Sequence, residues 1–145
     1  YYKGRMANQS EQYYDNGTMK SQGMLIGEIK LDLWAYWYDN GNKKEEGSYL
    51  EDRKDGQWST WYKSGKKKEL GLYKDDKKNG EWRSWYYNGQ RYYKRNYKNG
   101  ELQGNLISYW ENGVIHTRGK YQNNKRVGTW NTFDKKGKVI LSEDF

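Results

Sequence analysis

The sequence predicts an all-β fold: an elongated antiparallel sheet of about six stacked 24-residue β-hairpin repeats. Three observations predict it. Glycines recur at Gly17, Gly41, Gly65, Gly89, Gly113 and Gly137, each 24 residues after the last, and such a fixed period marks units that must stack on their neighbours. Large rings recur with the same period, Trp34, Trp58, Trp82 and Trp130 in one column, Trp37, Trp61 and Trp85 in a second, and Tyr49, Tyr73, Tyr97 and Tyr121 in a third. Each copy also sets a β-forming run on either side of a glycine turn, as in Trp58 to Tyr62, Lys63-Ser64-Gly65 and Lys66 to Tyr73, which is the pattern of a hairpin.

Taken in order, the first copy runs from Tyr1 through the Gly17 turn to Leu25 in the tyrosine column. The second opens on Ile29-Lys30-Leu31-Asp32-Leu33, whose alternation reads as a half-buried strand where other copies have a basic loop, and continues through Trp34, Trp37 and Gly41 to Tyr49. The third is the most regular. Lys74 to Gly80 reads as a polar loop into the fourth copy, which carries Trp82 and Trp85 but puts Arg95 in a glycine column and adds Tyr92 and Tyr93. The fifth has Leu106 and Tyr109 in the two tryptophan columns, with Trp110 in the following tyrosine column. The sixth has Trp130, Phe133 and Asp134 and runs to Phe145. Gly23, Gly47, Gly71 and Gly119 fall inside return strands, where a glycine weakens the strand unless something approaches closely. We expect a tryptophan ring over the bare backbone, so that a larger residue at Gly71 would strike an indole. Trp58, Thr60 and Tyr62 share one face by alternation, and Trp61 joins them only if a bulge intervenes.

Composition alone points elsewhere. Leu, Ile, Val and Phe make up 19 of 145 residues and the net charge is +8, values typical of chains with too little to bury. The 16 Tyr and 8 Trp reverse that reading, because each ring buries about 150–250 Å². The core is aromatic, and one array over residues 1–145 accounts for the chain. No Cys and one His exclude disulfides, thiolate chemistry and an imidazole-rich metal site, so no metal or cofactor is expected. No stretch reaches the roughly 18–20 apolar residues of a membrane span. The sequence begins at Tyr1, in a repeat column and without Met, and reads as trimmed. The expectation leans to the bacterial cell envelope or a secreted protein, with the cytoplasm as the alternative.

The unit G-x-W-x-x-W-Y-x-N-G-x-K-x-x-x-G-x-Y, best seen in Gly56 to Tyr73 and, with Arg95 for glycine, Gly80 to Tyr97, resembles the MORN repeat in its bacterial type 2 variant. The resemblance covers the whole chain. It implies the hairpin fold and, through related bacterial proteins labelled YwqK-type antitoxin components, a protein-binding role. The wider family is linked to membrane-associated scaffolding and to acidic phospholipids. Trp85 to Gln90 also looks like choline- or glucan-binding cell-wall repeats, but those run nearer 20 residues.

The candidate sites follow from departures and from charge. Ile29, Leu31 and Leu33, with Tyr87, Tyr92, Tyr93 and Trp110, are the candidates for a protein partner, since they are surplus to the repeat or displaced within it. Arg53, Lys54, Lys77, Lys78, Lys125 and Arg126 recur with the period and are the candidates for an anionic surface. Nearby Glu51, Asp52, Asp55, Asp75 and Asp76 dilute that charge. Core packing accounts for the column aromatics, so a nucleic-acid stacking platform is not expected. His116 stands in a variable polar column and is expected to face solvent. No nucleophile, base or phosphate-cradle pattern occurs, and the expected function is a non-enzymatic scaffold for a protein partner, then an anionic membrane binder, then a carbohydrate binder.

Overall fold

The computed structural model describes Gly4 and residues 6–145; the Tyr1 end of the tyrosine column lies outside the described residues. Among these the chain is all-β, with thirteen strands. They are β1 (Asn8–Tyr13), β2 (Met19–Ile26), β3 (Ile29–Trp37), β4 (Lys43–Leu50), β5 (Arg53–Trp61), β6 (Lys67–Lys74) and β7 (Lys77–Trp85). After these come β8 (Arg91–Lys98), β9 (Glu101–Leu102), β10 (Gly104–Tyr109), β11 (Ile115–Gln122), β12 (Lys125–Phe133) and β13 (Val139–Asp144). They form one antiparallel sheet in chain order, with β9 pairing only β8. Two compact units are present, one reaching to Lys67 with Tyr73–Lys77, the other Lys68–Leu72 with Lys78–Phe145.

The 24-residue beat is a hairpin turn. At the second, Tyr38 N–H donates to Asn42 O at 2.8 Å and Gly41 N–H to Tyr38 O at 3.0 Å, with Gly41 at φ 85°, a conformation glycine adopts without cost. Next to the turn the register slips by one, Tyr36 facing Glu45 but Trp37 facing Lys43. A second slip lies farther along, where Gly47 faces Trp58 but Ser48 faces Asp55, with counterparts between Gln22 and Met24 and between Arg118 and Lys120. Neither bulge falls between Trp58 and Trp61: Gly47, Glu46 and Glu45 face Trp58, Ser59 and Thr60 in unbroken step, so Trp58 and Thr60 share one face and Trp61 takes the other.

The expected polar loop at Lys74 to Gly80 is instead a two-residue turn followed at once by strand β7. Asp75 and Asp76 both take positive φ, 48° and 63°, as do Glu51 and Asp52 at 50° and 65° and Asn123 and Asn124 at 49° and 64°. Two left-handed residues in succession make the tight turn whose twist matches flanking strands, and Asp and Asn tolerate it because their side chains bond locally. The basic residues that follow therefore lie within strands.

The core of the first unit centres on Trp34 and Trp58, each on a glycine of the preceding strand. A Cβ on Gly23 would stand 2.1 Å from the Trp34 ring, and one on Gly47 2.2 Å from Trp58. In the second unit Trp82 covers Gly71 and Trp130 covers Gly119 in the same way, at 2.1 and 2.2 Å. The ring contact expected at Gly71 is thus present. Each indole N–H ends on a main-chain carbonyl, Trp34 on Met24, Trp58 on Ser48, Trp82 on Leu72 and Trp130 on Lys120, at 3.0–3.2 Å. A ring buried to 2% exposure at Trp58 thereby keeps its polar atom satisfied.

Candidate partner-binding surface

The basic pairs divide into inner and outer members. Lys54 lays its ammonium 3.8 Å from the Trp58 ring centre and 3.4 Å from Glu45. Lys78 does the same with Trp82 at 3.9 Å and Glu69 at 3.0 Å, and Arg126 lies 4.4 Å over Trp130. Lys30, which belongs to the same column, sits 4.8 Å from Trp34. Cations over aromatic faces are held electrostatically, so these inner members roof the core rings. The outer members Arg53, Lys77 and Lys125 are exposed, as is Arg126 among the inner ones; Arg53 pairs with Asp75 at 3.3 Å and Arg126 with Glu143 at 4.0 Å.

The candidates for a protein partner also separate. Leu31 is in the core at 7% exposure, so the surface of its segment is Ile29 and Leu33. Tyr93 is half-buried and donates its hydroxyl to Glu69; burial and that carboxylate push its pKa up. Tyr87 and Tyr92 are exposed, Tyr87 at 62%, and the Tyr92 ring lies 4.6 Å from Tyr86 and 5.2 Å from Tyr93. Trp110 is half-buried and donates its indole N–H to Phe133 O at 2.9 Å. His116 packs on it, ring centres 3.9 Å apart, where solvent exposure was expected.

That bond identifies a role the ring columns did not disclose. The tyrosines at this position donate to the main chain of the next copy, Tyr14 to Trp37 O, Tyr38 to Trp61 O and Tyr86 to Tyr109 O, at 2.7–2.9 Å. Trp110 substitutes an indole donor for a phenol. Two residues on, the amides of Asn16, Asn40, Asn88 and Asn112 donate to Asp39, Lys63, Glu111 and Lys135 carbonyls. At the opposite ends of the strands, Asp76 accepts from Lys54 N–H at 2.7 Å through its carboxylate and donates its own N–H to Lys54 O at 2.9 Å. Asp52 clasps Lys30 and Asn124 clasps Leu102 alike. The sequence signal was the recurrence of Tyr-x-Asn-Gly and of an acid or amide in the second turn position.

Several cavities occur among the described residues, and one of them gathers three cations beside aromatic rings. A cavity of about 280 Å³ is lined by Arg83 and Trp85 of β7, Arg91 and Lys94 of β8 and Tyr109 of β10, with Ser84 and Tyr93 completing it. Arg83 faces Lys94 and Trp85 faces Arg91 across the β7–β8 pair, and residues directly opposite share a sheet face. Ile107 faces Lys94 from β10, which puts Tyr109, two residues on, on that face too. Glu81 holds two of the cations, Arg83 at 2.5 Å and Lys94 at 2.8 Å, and these hold its carboxyl below the usual range, Lys94 foremost. Arg91 is exposed and has no ion-pair partner among the described residues.

A family model described as the MORN repeat variant matches four successive stretches, residues 33–51, 54–75, 78–99 and 102–123. No curated protein is significantly similar to the chain. Each of the last three matched stretches begins on a residue clasped by the turn 22 positions later, Lys54, Lys78 and Leu102.

Proposed function

The chain belongs to the MORN repeat variant family, and from that repeat scaffold we propose a non-enzymatic protein that holds a protein partner on its β7–β8 hairpin. One observation carries the reading. The column aromatics and inner cations pack on one another within the repeats, and the β7–β8 hairpin exposes Tyr87 and Tyr92 and carries Arg83, Arg91 and Lys94 on its strands. Exposed aromatics among arginines are the composition of interface hot spots.

Affinity capture from the native organism tests the proposal, with the wild type and a Tyr87→Ser/Tyr92→Ser double variant as baits. A stoichiometric protein held by the wild type and lost by the variant supports it; equal capture by both, or no such protein under several buffer conditions, sinks it. The bacterial antitoxin role is the finer form of the same proposal and rests on the family resemblance. A small toxin recovered one to one with the chain, and neutralised by it, is the result that form requires. An anionic membrane surface is the second reading, and it draws on the exposed outer cations Arg53, Lys77 and Lys125.

A further inference from the structure

We propose that the cavity between β7, β8 and β10 seats an acidic side chain of the partner, an Asp or Glu flanked by an apolar residue. The inference rests on the protein-scaffold reading and specifies what the partner presents. Cross-strand pairing puts Arg83, Trp85, Arg91, Lys94, Ile107 and Tyr109 on one face, three cations among apolar and aromatic walls. Glu81 is the carboxylate that pairs with this group, so the cavity keeps an excess of positive charge.

The division of labour within the cluster decides what fits. Glu81 ties down Arg83 and Lys94 and fixes their positions before anything binds, while the Arg91 guanidinium has no ion-pair partner among the described residues. A guanidinium offers a planar fork of donors that matches a carboxylate with two parallel hydrogen bonds. The incoming group displaces no existing ion pair and adds the missing counter-charge. Trp85 and Tyr109 line the same cavity and give the methylenes or an apolar neighbour of that side chain a surface to cover. A free inorganic anion makes use of the cations alone. The chain's net charge of +8 also favours encounter with an acidic partner over a basic one.

The test uses the full chain, labelled with nitrogen-15, and a capped hexapeptide Glu-Leu-Glu-Glu-Leu-Glu, with Gln-Leu-Gln-Gln-Leu-Gln as control. At low salt the acidic peptide should shift the amides of 83–85, 91–94 and 107–109 and the Trp85 indole, and the Gln peptide should bind about tenfold more weakly or not at all. Arg91→Glu should weaken the acidic peptide by about tenfold, Arg91→Lys by less, and Lys125→Glu should leave it unchanged. Because Arg91 is exposed, retention of the remaining spectrum verifies the fold of its variants. Shifts scattered over other cationic residues, equal binding of the Gln peptide, or undiminished binding by Arg91→Glu would overturn the proposal. So would sodium phosphate at the same concentration if it gave the same shifts and displaced the peptide, since the cavity would then be a general anion site. The two readings fail separately: a partner captured equally by wild type and Arg91→Glu removes this seat and leaves the scaffold, whereas absence of any captured partner removes the scaffold whatever the peptide does.

Discussion

Gly47 and Trp58 form a pair in which a missing methyl group is a structural part. A Cβ at Gly47 would stand 2.2 Å from the ring, and Trp58 is held by its Ser48 bond and cannot withdraw. Gly47→Ala should therefore destabilise by about 1–3 kcal/mol, the usual cost of overpacking, read as a fall in the thermal midpoint. The chain contains its own control: where the glycine column holds Arg95, the tryptophan eleven residues later is replaced by Leu106. Gly47→Arg combined with Trp58→Leu should accordingly cost less than the sum of the two single changes, a coupling of roughly 0.5–3 kcal/mol in a double-mutant cycle. This contact was legible in the sequence because a recurring glycine in one column and a large ring in another leave a mark. The cation roof was not, since the letter for Lys54 is the same in solvent as over an indole. Tyrosine titration is a second residue-scale test. Burial raises Tyr36, Tyr49 and Tyr93 above their ordinary pKa, with Tyr36 helping to raise Tyr49 and Glu69 to raise Tyr93. Unfolded tyrosines lose their protons near pH 10 while these three keep theirs, so the unfolded state binds fewer protons and stability falls as pH rises above about 10. Denaturant midpoints taken from pH 8 to 11.5 should be level first and then decline; a flat profile would contradict the buried phenols.

At the scale of the element, the tight turn does two jobs. Asp75 and Asp76 reverse the chain in two residues, and Asp76 also reaches the main chain of Lys54 with a carboxylate and an amide. Asp76→Ala removes the acceptor for Lys54 N–H and puts a poor left-handed residue in the turn, and should cost about 1–2 kcal/mol. Asp76→Asn keeps both the acceptor and the tolerance, as Asn124 does against Leu102, and should cost markedly less. Urea midpoints of the two variants decide the matter: no loss in either would show that the carboxylate bond contributes nothing, and equal sizeable losses would show that an amide cannot replace it. The segment reads as a loop from sequence because Lys-Asp-Asp-Lys-Lys-Asn-Gly is made wholly of turn formers and solvated residues. What makes Lys77 to Gly80 a strand is pairing with distant main chain, and composition does not encode pairing. The hairpin turns at Gly41 and its equivalents were legible for the opposite reason: a conformation that glycine alone adopts cheaply is written in the residue itself.

For the molecule as a whole, the question is how much of the +8 charge faces outward in the recurring basic pairs. Lys54 and Lys78 spend theirs on rings and on Glu45 and Glu69, and Arg126, though exposed, lies over Trp130 and 4.0 Å from Glu143, which leaves Arg53, Lys77 and Lys125, of which Arg53 is paired with Asp75. A cation near an anionic bilayer contributes about 1 kcal/mol, so three give about 3 kcal/mol. That falls short of the roughly 4 kcal/mol that even millimolar binding needs. The wild type should therefore remain unbound when floated with phosphatidylserine vesicles at physiological ionic strength. Vesicle binding that disappears with Lys77→Glu and Lys125→Glu would instead favour the membrane reading over the protein scaffold. The inner cations separate structure from surface in the same experiment. Lys54→Met keeps the length of the side chain but loses the cation over Trp58, so it should lower stability by roughly 1 kcal/mol without changing flotation. The Lys77→Glu/Lys125→Glu variant should leave the thermal midpoint nearly where it was, because both side chains are exposed and surface ion pairs contribute little. If the outer pair changed stability and Lys54→Met did not, the division between roof and surface would be the wrong way round.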